Sequence, residues 1–381
     1  MSRLEQLIQE LCPDGVEYIK VKDVYKRLRG TPITAAKMKE IERADGEIRI
    51  FAGGRTIIDA YEEDIPKANI TRVPAVLVQS RGVIDVIYYD KPFTFKNEMW
   101  AYTTDETVSV KFLFYVLQNS IQQFRASASG MGSLPQISLA VTEDFKIPLP
   151  PLPVQQEIVR ILDSFTELTA ELTAELTARR KQYEYYRDEL LTFGDDVPRQ
   201  SLSTICTISA GGDVPKAAMS KEKTDKYSIP IISNGIGENA FYGYTSIAKV
   251  DGPAVTVAAR GTIGYAAYRD YPFFPIVRLL SAVPRDNTIL NTRYLYYCLQ
   301  DKQYSVPMSG IPQLTAPELK KIKIPLPSLD MQIYIVSILD RFDAMCNDLT
   351  SGLPAEIEAR QKQYEYYRDK LLNFKSLSRN S

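Results

Sequence analysis

Apolar residues recur at spacings of three, four and seven along two long stretches of the chain. One runs from Ile158, Ile161, Leu162 and Phe165 through Leu172 and Leu176 to Tyr183, Tyr186, Leu190 and Phe193. The other runs from Ile335, Ile338, Leu339 and Phe342 through Leu349, Leu353 and Ile357 to Tyr364, Tyr367, Leu371 and Phe374. Such spacing draws a single stripe along an α-helix. A helix of about 40 residues at ~1.5 Å each is roughly 60 Å long, beyond an ordinary globular helix, and it needs a partner along its length. The pattern predicts that each stripe is the other's partner, the two helices pairing antiparallel as a coiled coil. Pro148, Pro150, Pro151 and Pro153 hold the approach to the first helix extended, so its start is expected after Pro153. Gly352 and Pro354 interrupt the second stripe, and a kink or short break is expected at residues 351–354.

The two stripes belong to a duplication. KIPLP and KQYEYYRD each occur twice, letter for letter, and the offset between copies grows from 177 residues at Ile147 and Ile324 to 181 at Lys181 and Lys362. The second copy thus carries four extra residues, close to one helical turn. Ahead of each stripe lies a globular stretch, and these also match. The segment from Val73 aligns with that from Gly252, which pairs Arg81 with Arg260 and Gly82 with Gly261; FYVLQN (Phe114 to Asn119) aligns with YYCLQD (Tyr296 to Asp301), and SLPQIS (Ser133 to Ser138) with GIPQLT (Gly310 to Thr315). Short β-branched runs such as Ala75 to Gln79 and Ala254 to Ala258 read as strands, and Val110 to Phe124 and Thr292 to Tyr304 as helices, so each stretch is expected to be an α/β sheet carrying loops. The expected segments are 1–146, 147–196, 197–323 and 324–381. The centres of the two globular stretches diverge much more than their edges, as they would if each read a different object.

Composition narrows the chemistry. With 45% hydrophobic and 24% charged residues the chain reads as globular, and neither a membrane span nor a signal peptide is apparent, so a cytoplasmic location is expected. The four cysteines are scattered and read as small buried hydrophobes. There is no histidine, which removes the commonest general base and metal ligand. No phosphate loop or GxGxxG fingerprint occurs, FAGGR and SAGGD being short glycine turns, and Glu318 with Lys320 reads as a charged rim. A net charge of -1 excludes nucleic-acid binding by bulk attraction, so local patches would have to carry it. Residues 201–321 hold 13 Lys plus Arg against 9 Asp plus Glu.

Taken together, these motifs resemble the specificity subunit of type I DNA restriction-modification systems. The resemblance spans essentially the whole chain: the opening LEQLIQELCPDGVEY, two divergent domains each closed by an IPLP…Q…ILDxF signature, and TAEL tetrapeptides at Thr169 to Leu176 before KQYEYYRDELLTF. It implies two pseudo-repeated α/β target-recognition domains separated by two long antiparallel coiled-coil helices. Each domain would read one half of a bipartite target in double-stranded DNA, while the helices fix the gap and dock methylation subunits, two of them, with restriction subunits as further partners. No catalysis is implied for the chain itself, and S-adenosylmethionine, ATP and Mg belong to partner subunits. No (N/D)PP(Y/F) element of an amino-methyltransferase is present. Residues placed to contact DNA are Arg55, Arg72, Gln79, Arg81 and Lys91 in the first domain and Lys216, Asn234, Lys249, Arg260, Thr262 and Arg269 in the second, lysines for phosphate and Arg, Asn or Gln for base edges. For Arg81 and Arg260, at matching positions, a phosphate or structural role stands beside base reading. Tyr183, Tyr186, Arg187, Tyr364, Tyr367 and Arg368 are the expected subunit interface, or else they close the coiled coil. A stand-alone bipartite DNA-binding protein and a methyltransferase without recognisable motifs are the other readings.

Overall fold

The structure is a computed structural model that describes residues 2–129, 134–300, 302–304, 312–348 and 350–377. Ser133, Asp301, Gly310 and Leu349, named above, lie outside the described residues, as does the side chain of Arg55. The helices that matter here are α1 (Arg3–Leu11), α2 (Thr107–Asn119), α3 (Leu152–Leu190), α4 (Thr292–Leu299), α5 (Leu329–Asn347) and α6 (Leu353–Leu372). The chain divides into two compact units, residues 1–172 with 357–381 and residues 173–356. Both long helices contribute to both units, because the divisions fall inside α3 and α6.

In the first unit, β1 (Tyr18–Lys20) is followed by a sheet in the order β2 (Lys26–Leu28), β8 (Trp100–Thr103), β5 (Ala75–Gln79), β6 (Asp85–Tyr89), and by a smaller one in which β3 (Ile48–Phe51) lies between β4 (Ile57–Ala60) and β7 (Phe93–Phe95). Strand β5 is buried at every position and β3 at three of four, which is why both read as continuous apolar runs rather than as alternating ones. KIPLP forms β9 (Lys146–Pro148), antiparallel to β1. The core joins Val76 and Tyr102 of the sheet, Phe112 and Leu113 of α2, Val154, Ile158 and Leu162 of α3, and Leu372 of α6.

The second unit repeats this plan. Its sheets run β11 (Cys206–Ala210), β18 (Leu280–Pro284), β15 (Ala254–Val257), β16 (Ala266–Arg269), and β12 (Met219–Ser220), β14 (Phe241–Thr245), β13 (Ile229–Ile232), β17 (Phe274–Pro275). The second KIPLP forms β19 (Lys323–Pro325), antiparallel to β10 (Arg199–Ser201). Here the core joins Val255, Leu295, Ile335 and Leu339 with Tyr183 of α3. The α/β duplication with long helices read from the sequence is therefore the observed fold.

The helix expected over Thr292 to Tyr304 ends at Leu299, and the one expected over Val110 to Phe124 starts at Thr107 and breaks at Ser120; two boundaries of the long helices differ as well. Helix α3 starts at Leu152, with Pro153 inside its first turn, where the missing N–H of proline has no intrahelical partner to lose. The break in the second stripe begins earlier than residues 351–354, because α5 ends at Asn347. Asp348 ends it by accepting from the Thr350 and Ser351 N–H groups through its carboxylate and from Gly352 N–H through its carbonyl. A Cβ on Gly352 would lie 2.6 Å from Ala344 O, so this reversal requires glycine. Pro354 then falls in the first turn of α6.

Matched polar anchors fix each helix to its sheet domain. In the first unit the buried Gln155 accepts from Ser109 Oγ at 2.8 Å and donates to Pro150 O at 2.8 Å. Asp163 accepts from Tyr115 Oη at 2.5 Å and Lys111 Nζ at 2.7 Å. In the second unit Gln332 accepts from Asn291 N–H and donates to Ile289 O and Pro327 O, each at 2.9 Å. Asp340 accepts from Tyr297 Oη at 2.5 Å and Arg293 Nε at 2.6 Å. Burial first, and then the adjacent carboxylate, pushes the Tyr115 and Tyr297 phenols above their ordinary range, so both remain proton donors. Gln332→Ala strands three backbone groups at a fully buried position; at ~1–3 kcal/mol for an unsatisfied group, part of it recovered by water, it should destabilise the second unit by about 2–4 kcal/mol in urea unfolding.

Candidate nucleic-acid interface

Each unit brings two hairpin turns together at one end of its sheets. In the first, the turn between β3 and β4 (residues 52–56) meets the turn between β5 and β6 (residues 80–84). Gly54 and Gly82 have φ of +72° and +78°, and a Cβ on Gly82 would sit 3.7 Å from Gly54 Cα. Both turns need the left-handed backbone that glycine adopts without strain. The segment 135–137 seals the side of this tip, Gly82 N–H donating to Pro135 O and Ile137 N–H to Ser80 O, each at 2.9 Å. Arg81 and Leu134 project from the tip into solvent.

The second unit's tip is held by side chains. Asn234 Nδ2 donates to Val277 O at 2.6 Å, its Oδ1 accepts from Ala259 N–H at 2.8 Å, and its carbonyl accepts from Thr262 Oγ1 at 2.7 Å. Arg260 Nε and Nη2 both donate to Gln313 Oε1, at 2.9 and 2.6 Å. Ile236 and Tyr265 stand exposed beside them.

The structure sorts the sequence candidates. Arg81, Arg260 and Thr262 lie on the tips, as does the backbone of Arg55. Gln79 is 3% exposed within β5, and Asn234, 9% exposed, has its amide taken by the turns it joins. Both are corrections to a base-reading role: a side chain buried in a strand, as at Gln79, or an amide already bonded to protein, as at Asn234, cannot face a base edge. Arg72 is at the other end of its domain and paired with Glu62 at 2.5 Å, which removes it from the free cations. Lys91 is exposed near the foot of β6, Lys216 is exposed on a short turn, and Lys249 lies over the Phe274 ring at 4.4 Å. Arg269 ends β16, away from the tip.

Sequence reasoning missed the aromatics of the second unit. Phe241, Tyr242 and Tyr271 are exposed, and Lys221 lies 4.0 Å above the Tyr242 ring. Interleaved lysines and rings in KEKTDKY and FYGYT were the available signal.

Among the expected interface residues, Tyr183 is only 5% exposed and donates to Gln300 Oε1 at 2.6 Å. Tyr186 stacks on Phe342 and Tyr367 on Phe165, while Arg187 and Arg368 fold over Tyr183 and Tyr364. The rings of Tyr183, Tyr186, Tyr364 and Tyr367 therefore close the helix seam, and the most exposed aromatic residues of the octamers are Tyr185 and Tyr366, each 62% exposed. Met331, Ile333 and Tyr334 of α5 are exposed as well. In the first copy Val154 and Glu157 take the places of Met331 and Tyr334, and both are buried in the unit that contains α1, whose Arg3 lies 3.7 Å from Glu157. Among the described residues no helix is long and apolar enough to cross a membrane.

A duplicated α/β domain with glycine-arginine tips and long helices is the class of protein this fold defines, and the comparisons name the family. The description "Type I restriction modification DNA specificity domain" matches the chain twice, over residues 13–179 and 196–359. The chain is 30% identical to the EcoR124I/EcoR124II type I restriction enzyme specificity subunit of Escherichia coli, over 98% of this chain and 97% of that one. It is 33% identical to a protein assigned as a type I specificity subunit in Mycoplasma pneumoniae, over 93% and 97%. Its fold matches the crystal structure of the S subunit of a type I restriction-modification system from M. genitalium with a TM-score of 0.64 at 17% identity, over 94% and 96% of the two chains. The protein belongs to the type I restriction-modification DNA specificity family.

The tips predict a contrast between two matched arginines. Arg81 makes no side-chain hydrogen bond or ion pair among the described residues, so Arg81→Ala should leave stability within about 0.5 kcal/mol while weakening DNA binding. Arg260→Ala removes a charged clamp and should lower stability by about 1.5–3 kcal/mol. Equal stability loss in both variants, read by chemical denaturation, would contradict the assignment.

Proposed function

We propose that this chain chooses the DNA target of a methyltransferase complex, each hairpin tip reading one half of a bipartite site. The observation that carries this is a frame repeated down to its polar anchors, bearing tips of different chemistry: an exposed arginine with glycine turns in one, a clamped Asn-Arg-Gln-Thr set in the other. The chain supplies recognition and no catalysis, and S-adenosylmethionine, ATP and Mg belong to its partners. Two methylation subunits dock on the helices, supported by the outward Tyr185 and Tyr366 and by the apolar α5 face of Met331 and Tyr334, since exposed aromatic clusters are what interfaces favour. A nuclease subunit would join through the same complex. Cytoplasmic DNA is the matching location.

Two measurements test this, both by mapping methylated motifs in cells that express the complex. Exchanging residues 16–145 for another first domain should change one half of the motif and leave the other intact; a change in both halves would sink the two-reader arrangement. Inserting one more TAEL after Leu176 adds about 6 Å of rise and ~400° of turn, nearly preserving the seam. Against ~3.4 Å per base pair, it should widen the unspecified gap by one or two base pairs and keep both half-sites. An unchanged gap would show that the helix is not the spacer.

A further inference from the structure

The two units differ sharply at the end of the sheets opposite the tips. In the first, β3 and β4 place Arg49 directly across from Asp59, and their side chains form a bidentate pair at 2.8 and 3.0 Å. Arg49 also lies 5.6 Å from the centre of the Tyr89 ring, at the foot of β6. This pair lines a recess of about 310 Å³. The hydrogen bond from Arg49 holds the Asp59 carboxyl below its ordinary range, so the charge is cancelled where it stands.

The matching strands of the second unit pair equivalently at this position, with a bulge further on between Ile231 and Ile232, and change every member of the set. Pro230 of β13 faces Tyr244 of β14, and Arg269 takes the place of Tyr89, pairing with Ala254 as Tyr89 pairs with Ala75. The recess is larger, about 510 Å³, walled by Pro230, Phe241, Tyr244 and Tyr271, with Lys223 and Glu238 also on its lining. Phe241 meets Tyr244 edge to face, with ring centres 4.9 Å apart. Arg269 Nη1 donates to Tyr271 Oη at 3.0 Å, its Nε is buried without a hydrogen-bond partner, and no described carboxylate comes within ion-pair distance. An arginine with no carboxylate at ion-pair distance among the described residues, set among exposed aromatic rings, is a site prepared for a planar group rich in acceptors.

We infer that this recess binds a nucleotide, guanine by preference. The rings supply a stacking wall, the Arg269 guanidinium suits the paired O6 and N7 acceptors of guanine, and the Lys223 ammonium suits a phosphate. The ligand is either a free nucleotide or an unstacked nucleotide of the bound DNA; only the second source rests on the DNA-reading function proposed above. The recess reaches from the foot of β16 to the turn between β13 and β14, whose Gly237 and Glu238 are on its lining, but Arg269 and the clamped Arg260 stand at opposite ends of the hairpin formed by β15 and β16.

The test titrates the full chain with GMP, AMP, CMP and TMP, and with the pentanucleotides TTGTT and TTTTT, by calorimetry. Three variants accompany it: Arg269→Tyr, the double change Pro230→Arg with Tyr244→Asp that transplants the first unit's ion pair, and Arg260→Ala as a control on the tip. GMP or TTGTT should bind the native chain, at least about tenfold more weakly in Arg269→Tyr and in the double variant, and unchanged in Arg260→Ala. If the double variant does not fold, Arg269→Tyr decides alone. Motif mapping with Arg269→Tyr separates the sources: GMP binding with an unchanged motif assigns a free nucleotide, and relaxation at a guanine of one half-site assigns the DNA. A native chain that gives no methylation at all would fail the DNA-reading function while leaving the GMP titration to judge the recess. Binding that survives both recess variants, or no nucleotide binding with an unchanged motif, overturns the inference.

Discussion

Each compact unit is closed by an aromatic contact that its own repeat cannot supply. Phe165 of the first copy stacks on Tyr367 of the second at 5.5 Å and 23°, and Phe342 of the second stacks on Tyr186 of the first at 5.6 Å and 26°. Each KQYEYYRD octamer thus packs on the ILDxF signature of the other copy. A helix of this length is stable only with its apolar stripe covered, and the cover comes from the opposite repeat. This exchange places part of each repeat inside the compact unit of the other, which constrains the octamer while leaving the globular centres free to drift.

The seam would mean little for recognition if the sheets could swivel on the helices. Buried Gln155 and Gln332, with the paired Asp163 and Asp340, prevent this at equivalent positions. Leaving a buried amide or carboxylate unbonded costs more than the bond itself contributes, so each anchor holds one orientation of helix against sheet. The positions of the tips within each unit follow from that rigidity. The outward residues of each tip can change without disturbing the frame, while its inner residues, Ile84 in one and Ala259 in the other, stay packed in the helix core.

Divergence between the units follows the same logic. Strand register is kept wherever a strand is buried on both faces, as in β5 and β15, since a one-residue slip would turn apolar residues out of the core. At the turns and at the foot of β6 and β16 no such constraint acts. There the Arg49–Asp59 pair gives way to Pro230 and Tyr244, and an exposed Arg81 to a clamped Arg260. The frame is conserved within the molecule, and the chemistry at its ends is not.

Periodicity and internal repetition placed both long helices, the α/β duplication and the break near Gly352, and the resemblance of the motifs placed the family, because stripe spacing, proline position and motifs are local properties of a chain. Boundaries shifted by a few residues where capping decided them: Pro153 was admitted to a first turn, and Asp348 stopped α5 early. The tips were half legible, since Arg81, Arg260 and Thr262 could be picked by residue type beside glycine. Burial of Gln79, capture of the Asn234 amide, neutralisation of Arg72 by Glu62 and the inward turn of Tyr183 could not. Each depends on which distant segment packs against the residue, and residue type says what a side chain can bond to but not what the fold has already given it.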